Sequence, residues 1–550
     1  MTLNDDASSK RPRLSITRRS ALGLLAGISA VPFLSSVMPA FAADEQVLRI
    51  AHPRLQNDWS PIRGGGPHYR LTSLWWAAPL YYDDAGQIHP YVFSKWEGNG
   101  DSTVWNFEID PKATFSDGSA ITAADVKASW ELGAMPATKN QRVDQVLSSV
   151  KGYTEVTGGA ETELAGVKVT GERTLEVSLS FSDPIFFAKL ANHLLPIVKG
   201  AQARGSDGNE IQDWWSPSGG VVVSGPFKPV TMDLDAGNLV FERNEHFFGP
   251  KPILDRIEIQ TIEDSPTAIA LLKQGKVDMH TLISTPTLID ELGADFLEGA
   301  PAPEGDHFWL NTSKAPTDDE NIRRALIMSV DTDELAKLTF PKGPESHATQ
   351  ILNAVPGVDP NFKGIAYDPE GAKKLLAESK YQSAANLPAI NIVGVSTPTQ
   401  EVAAQYIAEQ WRKVLGIDSV GMKSQIDSFS GPGQATVQIF RDNVGTRVAD
   451  PVAFLRGVVH SQSSNAKNKL GDYKNPEVDD LLDKGSIEPF DSPKRIEMAQ
   501  AAQQKACDQA IMIPWVNRNM PRMAMPWVKD IRKNMDWQVF EPWTIRIERA

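Results

Sequence analysis

The chain of 550 residues is acidic, with 69 acidic and 55 basic side chains and a formal net charge of −14. This length allows two to four structural units with an ample core. The acidic balance argues against nucleic acid and anionic membranes as partners. Cys507 is the only cysteine, which excludes an internal disulfide, and its Ala/Gln-rich helical surroundings predict a small buried residue.

The N-terminus has the pattern of a cleaved export signal. Basic residues up to Arg18-Arg19 precede an apolar run over residues 21–31, and residues 40–42 form a small-x-small cleavage signature. A membrane anchor needs roughly 18 unbroken apolar residues, whereas glycines and a proline interrupt this run. The arginine pair fits a twin-arginine signal. We therefore expect removal of residues 1–42 and, because no cysteine follows for lipid attachment, a free protein in a Gram-negative periplasm.

Strand and helix signals alternate along the chain. The predicted strands cover residues 175–181, 257–262, 390–395 and 435–440, with another beginning at 277. A cap and a proline predict a helix from Ser265 to about Gly275, and a second helix covers 399–415 and ends at Gly416. Further helix starts lie at Asp368, Asn475 and Ser492. Such βαβ units predict an α/β fold with mixed or parallel sheets covered by helices.

Motifs for catalysis or cofactor binding are missing from the sequence. It contains no phosphate-binding loop, no G-x-S-x-G elbow, no H-E-x-x-H helix and no C-x-x-C pair. The three glycines at residues 64–66 lack the lysine that a phosphate loop needs and predict a flexible loop. The nine histidines have no ligand spacing. We therefore expect neither a metal nor a cofactor.

Four segments spread over roughly residues 47–520 form a recognisable series. The first covers 105–126, where Asp117-Gly118 supplies a turn and Thr122 with Asp125 a capping-box-like helix start. The others contain Ser224-Gly225-Pro226-Phe227, Leu310-Asn311-Thr312 with Ile322-Arg323-Arg324-Ala325-Leu326, and Asp450-Pro451 with Ile513-Pro514. In order and spacing, they resemble the family 5 extracellular solute-binding proteins of ABC importers, the oligopeptide- and dipeptide-binding type.

The resemblance implies a two-lobed fold of the type II periplasmic-binding-protein class with an extra inserted domain. Residues 43–77, 217–303 and 520–550 would form the first lobe, 78–216 its inserted subdomain, and 304–519 the second lobe. The ligand would sit between lobes that close on a hinge. The closed protein, which we expect to be a monomer, would then dock on a permease in the inner membrane.

One position departs from the family pattern. In the peptide binders, an aspartate three residues before the Asp/Glu-Pro pair holds the α-ammonium group of the ligand, and Arg447 stands there in this chain. A guanidinium binds carboxylate or phosphate instead. The alternative is that Arg447 points to solvent or pairs with Asp442 or Asp450. The complete set of candidate ligand contacts is Trp59, Arg63, Trp215, Arg441, Asn443, Arg447 and Asp450.

The sequence favours uptake of a small polar ligand, which could be a peptide, an opine-like conjugate or an oligosaccharide. A receptor or chaperone that uses the same fold without transport is an alternative, and neighbouring permease and ATPase genes would discriminate between the two. An exported hydrolase would need a nucleophile with a base, or a carboxylate pair, and no motif arranges either. We therefore expect binding without turnover.

Overall fold

The structure, a computed structural model, describes residues 45–53, 59–63, 69–83, 86–140, 142–281, 297–341, 346–423, 437–532 and 541–549. The predicted export signal and the glycine loop at 64–66 lie outside these residues. None of the helices within the described ranges is long and apolar enough to cross a membrane. Residues 46–550 form a single compact unit.

The strands and helices are numbered along the chain. The strands are β1 (Val47–His52), β2 (Leu80–Tyr82), β3 (Ile88–Pro90), β4 (Phe93–Gly98), β5 (Val104–Ile109), β6 (Val167–Gly171), β7 (Thr174–Ser178), β8 (Phe227–Asp233), β9 (Asn238–Arg243), β10 (Arg256–Thr261), β11 (Met279–His280), β12 (Leu297–Leu310), β13 (Ser346–His347), β14 (Ile390–Val393), β15 (Val420–Lys423), β16 (Ile439–Gly445), β17 (Met512–Ala524), β18 (Val528–Lys529) and β19 (Arg546–Ile547). The helices are α1 (Tyr69–Thr72), α2 (Ala123–Ala134), α3 (Asp144–Leu147), α4 (Tyr153–Thr157), α5 (Phe186–Lys189), α6 (Gly200–Ala203), α7 (Ser265–Lys273), α8 (Glu320–Met328), α9 (Thr332–Thr339), α10 (Pro369–Glu378), α11 (Pro398–Leu415), α12 (Pro451–Val459), α13 (Ser464–Asn468), α14 (Pro476–Ile487) and α15 (Pro493–Asp508).

One large mixed sheet runs through the molecule, in the order β15-β14-β16-β12-β17-β11-β1-β10-β9-β8, with β13 beside β17. Strand β1 pairs in parallel with β10 and β11, whereas β12 pairs antiparallel with β16 and β17. The long strands β12 and β17 connect the two sides of this sheet. Their mutual register shifts between Pro301 and Gly305 and again between Asp306 and His307, which marks a β-bulge region.

A second, antiparallel sheet in the order β4-β5-β7-β6 lies entirely within residues 93–178. Buried and exposed residues alternate along β5, and the buried rings of Trp105, Phe107, Trp130 and Phe186 share one apolar cluster. Helix α2 covers this sheet and begins with the predicted capping box at Thr122. The two-lobed α/β architecture predicted from the sequence is therefore confirmed.

The helix starts follow the local signals closely. Asp368 and Asn475 accept hydrogen bonds as N-caps of α10 and α14. Helix α11 ends at Gly416, whose φ of 73° lies in the left-handed region that glycine adopts without strain. Helix α7 starts at the predicted Ser265, but Asp264 is the residue that caps it.

The prediction for β16 was wrong about where the strand ends. The sequence predicted a strand over 435–440, of which 435 and 436 lie outside the described residues, whereas β16 runs from Ile439 to Gly445. The reason is tertiary pairing, because β12 opposes β16 as far as Glu304 and Gly445. Consequently Arg441 and Asn443 belong to the ladder. As alternate residues of a strand they point to the same face of the sheet, and Asp442 between them points to the other face.

Candidate functional site

A cavity of about 850 Å³ lies between two distant parts of the chain. One wall comes from residues 142–194, around α3 and α5, and the other from residues 443–465, which include α12 and α13. Glu304 of β12 completes the lining. No phenylalanine, tyrosine or tryptophan is among the described residues that line it. The walls are therefore suited to a hydrophilic ligand.

The turn between β16 and α12 is fixed by a buried ion pair. Asp450 caps α12 by accepting a hydrogen bond from the Ala453 backbone N–H. Its carboxylate also accepts from Arg495, through Nε and, at 2.9 Å, through Nη2. Arg495 donates in addition to the carbonyls of Gly485 and Glu488. This bidentate arrangement holds the turn that carries Arg447.

Arg447 is half-buried and lines the cavity. Of the two carboxylates that the sequence offered as its alternative partners, Asp442 pairs with Lys469 and Asp450 pairs with Arg495. Asn443 lines the same cavity. Of the seven candidate contacts, Asn443 and Arg447 are the two that the structure brings together there.

A cluster of buried charges lies where β12, β16 and β17 meet. Asp306 accepts hydrogen bonds from Arg441 and Arg518, and Glu304 accepts from Asn443 and Arg518. Burial raises the pKa of Glu304, although Arg518 opposes that shift. Burial also acts to raise the pKa of Asp306, but Arg518 and Arg441 outweigh it and hold that pKa below its ordinary value. The two carboxyl groups are thus compensated unequally.

An apolar contact joins the two walls at one edge of the cavity. Ile185 and Val448 share a buried cluster, and the rings of Phe187 and Phe490 meet edge to face with centroids 5.2 Å apart. The hydroxyl of Tyr82 accepts a 3.4 Å hydrogen bond from the Ala449 N–H. These contacts keep the two walls together beside the polar cavity.

The other candidate contacts lie away from the cavity. Trp59 and Trp215 are buried in a core cluster with Trp75, and the rings of Trp59 and Trp75 have centroids 6.1 Å apart. Arg63 pairs with Glu210 at 3.2 Å. The structure places these three side chains outside the cavity, in aromatic packing and an ion pair, and their contact with ligand stays a prediction.

Arg441 and Asp450 do not line the cavity either. Arg441 is buried against Asp306 and lies 5.8 Å from the centroid of the Trp515 ring. Asp450 is occupied by Arg495 and by its capping hydrogen bond. Both residues therefore pack behind the lining of the cavity, and their contact with ligand stays a prediction.

Sequence reasoning missed several cavity residues. They are Arg142, Lys189, Glu304, Arg456 and His460. The first two lie far from the recognisable segments and reach the cavity only through the tertiary fold. For Glu304 a signal existed in the sequence, because the glycine directly after it within a strand is typical of a bulge or of a close approach by a ligand.

Comparison with known proteins places the chain among binding proteins. The family model described as "Bacterial extracellular solute-binding proteins, family 5 Middle" matches residues 87–466. The periplasmic oligopeptide-binding protein OppA of Salmonella typhimurium is 24% identical, over 94% of this chain and 96% of the relative.

Two solved structures share the fold. The unliganded open form of the periplasmic murein tripeptide-binding protein MppA has a TM-score of 0.77 at 22% identity, covering 92% of this chain and 98% of that one. NikA from Brucella suis, in complex with Fe(III)-EDTA, has a TM-score of 0.74 at 19% identity, covering 92% of this chain and 100% of that one.

Proposed function

Because this chain belongs to the bacterial extracellular solute-binding proteins of family 5, we propose that it captures a small polar ligand in the periplasm for an ABC importer. The ligand is a peptide, an opine-like conjugate or another small compound that bears an anionic group. It is delivered unchanged to a permease in the inner membrane. The relatives named above as binding proteins support this assignment.

The observation that carries the proposal is the position of Arg447 in a polar cavity between two walls. A guanidinium grips a carboxylate or phosphate through two parallel hydrogen bonds. Asn443 adds an amide to the same lining. The absence of phenylalanine, tyrosine and tryptophan from the described lining favours a hydrophilic ligand over one with large apolar side chains.

We further propose that the walls belong to separate lobes. Residues 43–77, 217–303 and 520–550 form the first lobe, 78–216 its insertion, and 304–519 the second lobe. The four-stranded sheet lies within 78–216, and β13 to β16 lie within 304–519, in support of these bounds. Strands β12 and β17 then act as the hinge, because their bulges relax the ladder where the lobes join.

The proposal also includes removal of residues 1–42 as an export signal, through the twin-arginine route. Sequencing the N-terminus of the protein from the periplasm should then begin at or near Ala43. A mature protein that retains Arg18-Arg19 would contradict export by cleavage.

The test of function is to identify what the protein carries. Molecules released from purified protein are identified by mass spectrometry and titrated back by calorimetry. Arg447→Ala is expected to weaken binding by two or more decades, because losing one partner of a buried charge pair costs on the order of 3–5 kcal/mol.

The matched control is Arg412→Ala, which removes an exposed arginine of α11 that pairs with Glu409. It should bind within about twofold of the wild type. Binding by Arg447→Ala within about threefold of the wild type would remove this arginine from the site. Steady formation of product from the bound compound would indicate an enzyme instead.

A further inference from the structure

The carboxylate of Glu304 keeps one oxygen available to the cavity. Its Oε1 accepts hydrogen bonds from Asn443 and, at 2.9 Å, from Arg518 Nη1. In the part of the chain that the structure describes, Oε2 has no hydrogen-bond partner, and it is not among the fully buried unpaired atoms. The side chain of Glu304 is only 11% exposed, and it lines the cavity. On these observations, Oε2 is the oxygen of Glu304 that a ligand in the cavity would meet.

Glu304 is also the less compensated of the two buried carboxylates. Arg518 is shared between Glu304 and Asp306, whereas Asp306 has Arg441 in addition. The contrast in pKa agrees with this difference, since the pKa of Glu304 is raised by burial and that of Asp306 is lowered. A ligand that fills the cavity displaces water from Oε2 of Glu304. This displacement is costly unless a hydrogen-bond donor of the ligand replaces the water.

The charges of Glu304 and Arg447 indicate what kind of hydrogen-bond donor a ligand would offer to Glu304. A carboxylate accepts hydrogen bonds and an ammonium donates them, and the charged pair is roughly twice as strong as a neutral one. Arg447 lines the same cavity and lowers the pKa of Glu304 through its charge. It therefore disfavours a ligand that is only cationic, while Glu304 disfavours one that is only anionic. A dipolar ligand satisfies both side chains.

We infer that Glu304 is a specificity-determining residue that accepts a hydrogen bond from a protonated amine of the ligand, while Arg447 holds an anionic group of the same molecule. This inference rests on the proposed function and narrows its ligand to compounds with an amine and an acid close together. Neutral oligosaccharides and amine-free acids are excluded.

A panel of matched compounds tests the inference with the full chain. Calorimetry compares trialanine with N-acetyl-trialanine, and octopine with N-acetyl-octopine, alongside succinate and maltotriose. At least one of the two compounds with a free amine is expected to bind. Its N-acetylated form should bind at least tenfold more weakly. Equal binding within a pair, binding of succinate or maltotriose alone, or binding by no amine in the panel would overturn the inference.

Glu304→Gln is the decisive variant, because it replaces one atom. The amide oxygen can still accept from Asn443 and Arg518, and the amide nitrogen places a donor where Oε2 stood. The free amine should lose at least tenfold in affinity, and the preference over the N-acetylated partner should fall toward one. A role in the fold alone would lower the melting temperature and leave that preference unchanged.

Asp306→Asn is the matched control, since Asp306 belongs to the same charge cluster but does not line the cavity. It should lower the melting temperature and preserve the preference for the free amine. If an amine-free compound binds in a manner that depends on Arg447, the proposed function stands and the role of Glu304 fails. If neither the panel nor any co-purified molecule binds, the proposed function itself fails.

Discussion

Asp450 and Arg495 form an ion pair in which both side chains are nearly inaccessible, 1% and 2% exposed. The pair connects the start of α12 to the start of α15, 45 residues later along the chain. It lies behind the turn that presents Arg447 to the cavity. The position of this wall therefore depends on an ion pair that does not itself line the cavity.

Breaking this pair should destabilise the fold. Arg495→Met leaves a buried carboxylate without its cation, which typically costs about 3–5 kcal/mol. Adding Asp450→Asn to that variant keeps the cap of α12 and should recover more than half of the loss, because no lone charge remains. Chemical denaturation measures both. Arg412→Met, which breaks an exposed pair, should cost less than about 1 kcal/mol, and an equal loss there would contradict the assignment.

Gly225 is expected to tolerate no side chain. A Cβ at this position would lie 2.4 Å from the carbonyl carbon of Trp75 and 2.5 Å from the backbone nitrogen of Trp76, and backbone cannot yield as a side chain can. Gly225→Ala should therefore lower the free energy of unfolding by about 3 kcal/mol. Gly100→Ala, where nothing lies within 4 Å, should change it by less than about 0.5 kcal/mol. Similar melting temperatures for the two variants would refute the packing argument.

The buried ring of His307 makes stability depend on pH. Burial lowers its pKa from the ordinary 6.5 to about 4. Between these values the unfolded chain binds a proton that the folded chain does not, so stability falls as the pH is lowered from about 6.5 to 4, by up to on the order of 3 kcal/mol.

His307→Phe should flatten part of this acid dependence, because it removes the titrating group. His280, whose pKa burial also lowers to about 4, should still contribute to the acid dependence of the variant. Since both ring nitrogens of His307 lack hydrogen-bond partners among the described residues, the variant should be at least as stable as the wild type at pH 7. Melting temperatures of both proteins at pH 7, 5.5 and 4.5 test this prediction. An equal dependence of melting temperature on pH in the two proteins would contradict the role of His307.

The ring contact at the edge of the cavity should favour the closed arrangement. Phe490→Ala removes the partner of Phe187, and a smaller apolar contact between the walls shifts the population toward separation. Small-angle scattering should then give a larger radius of gyration than for the wild type. Phe181→Ala, which truncates a side chain that is 55% exposed, should leave the radius unchanged. An unchanged radius in both variants would show that this contact does not set closure.

Local signals in the sequence predicted much of the fold. The capping box at Thr122 and the glycine stop at Gly416 depend on neighbours within a few residues. The extension of β16 to Gly445 depends on a partner strand more than a hundred residues away. Pairing of that kind leaves little trace in composition or periodicity.

The residues of the candidate site also differ in whether a local sequence signal or only the tertiary structure reveals them. Arg447, which lines the cavity, could be singled out because its distance from Asp450-Pro451 is a local property of the sequence. The packing of Trp59 against Trp75 could not be predicted, because a tryptophan in a polar loop carries no sign of the neighbour against which it packs. Lys189 reaches the cavity from a short helix without any motif, so only the tertiary structure reveals it.

The position of β17 in the large sheet has a consequence for synthesis. This strand lies between β12 and β11, and its last residues, Met523 and Ala524, pair with His280 and Met279. On the ribosome the N-terminal strands emerge first, yet their sheet keeps an open edge until almost the whole chain has been translated. A chain released before residue 512 would lack the strand that joins the two sides, and it would expose the unpaired edges of both β11 and β12 to other chains.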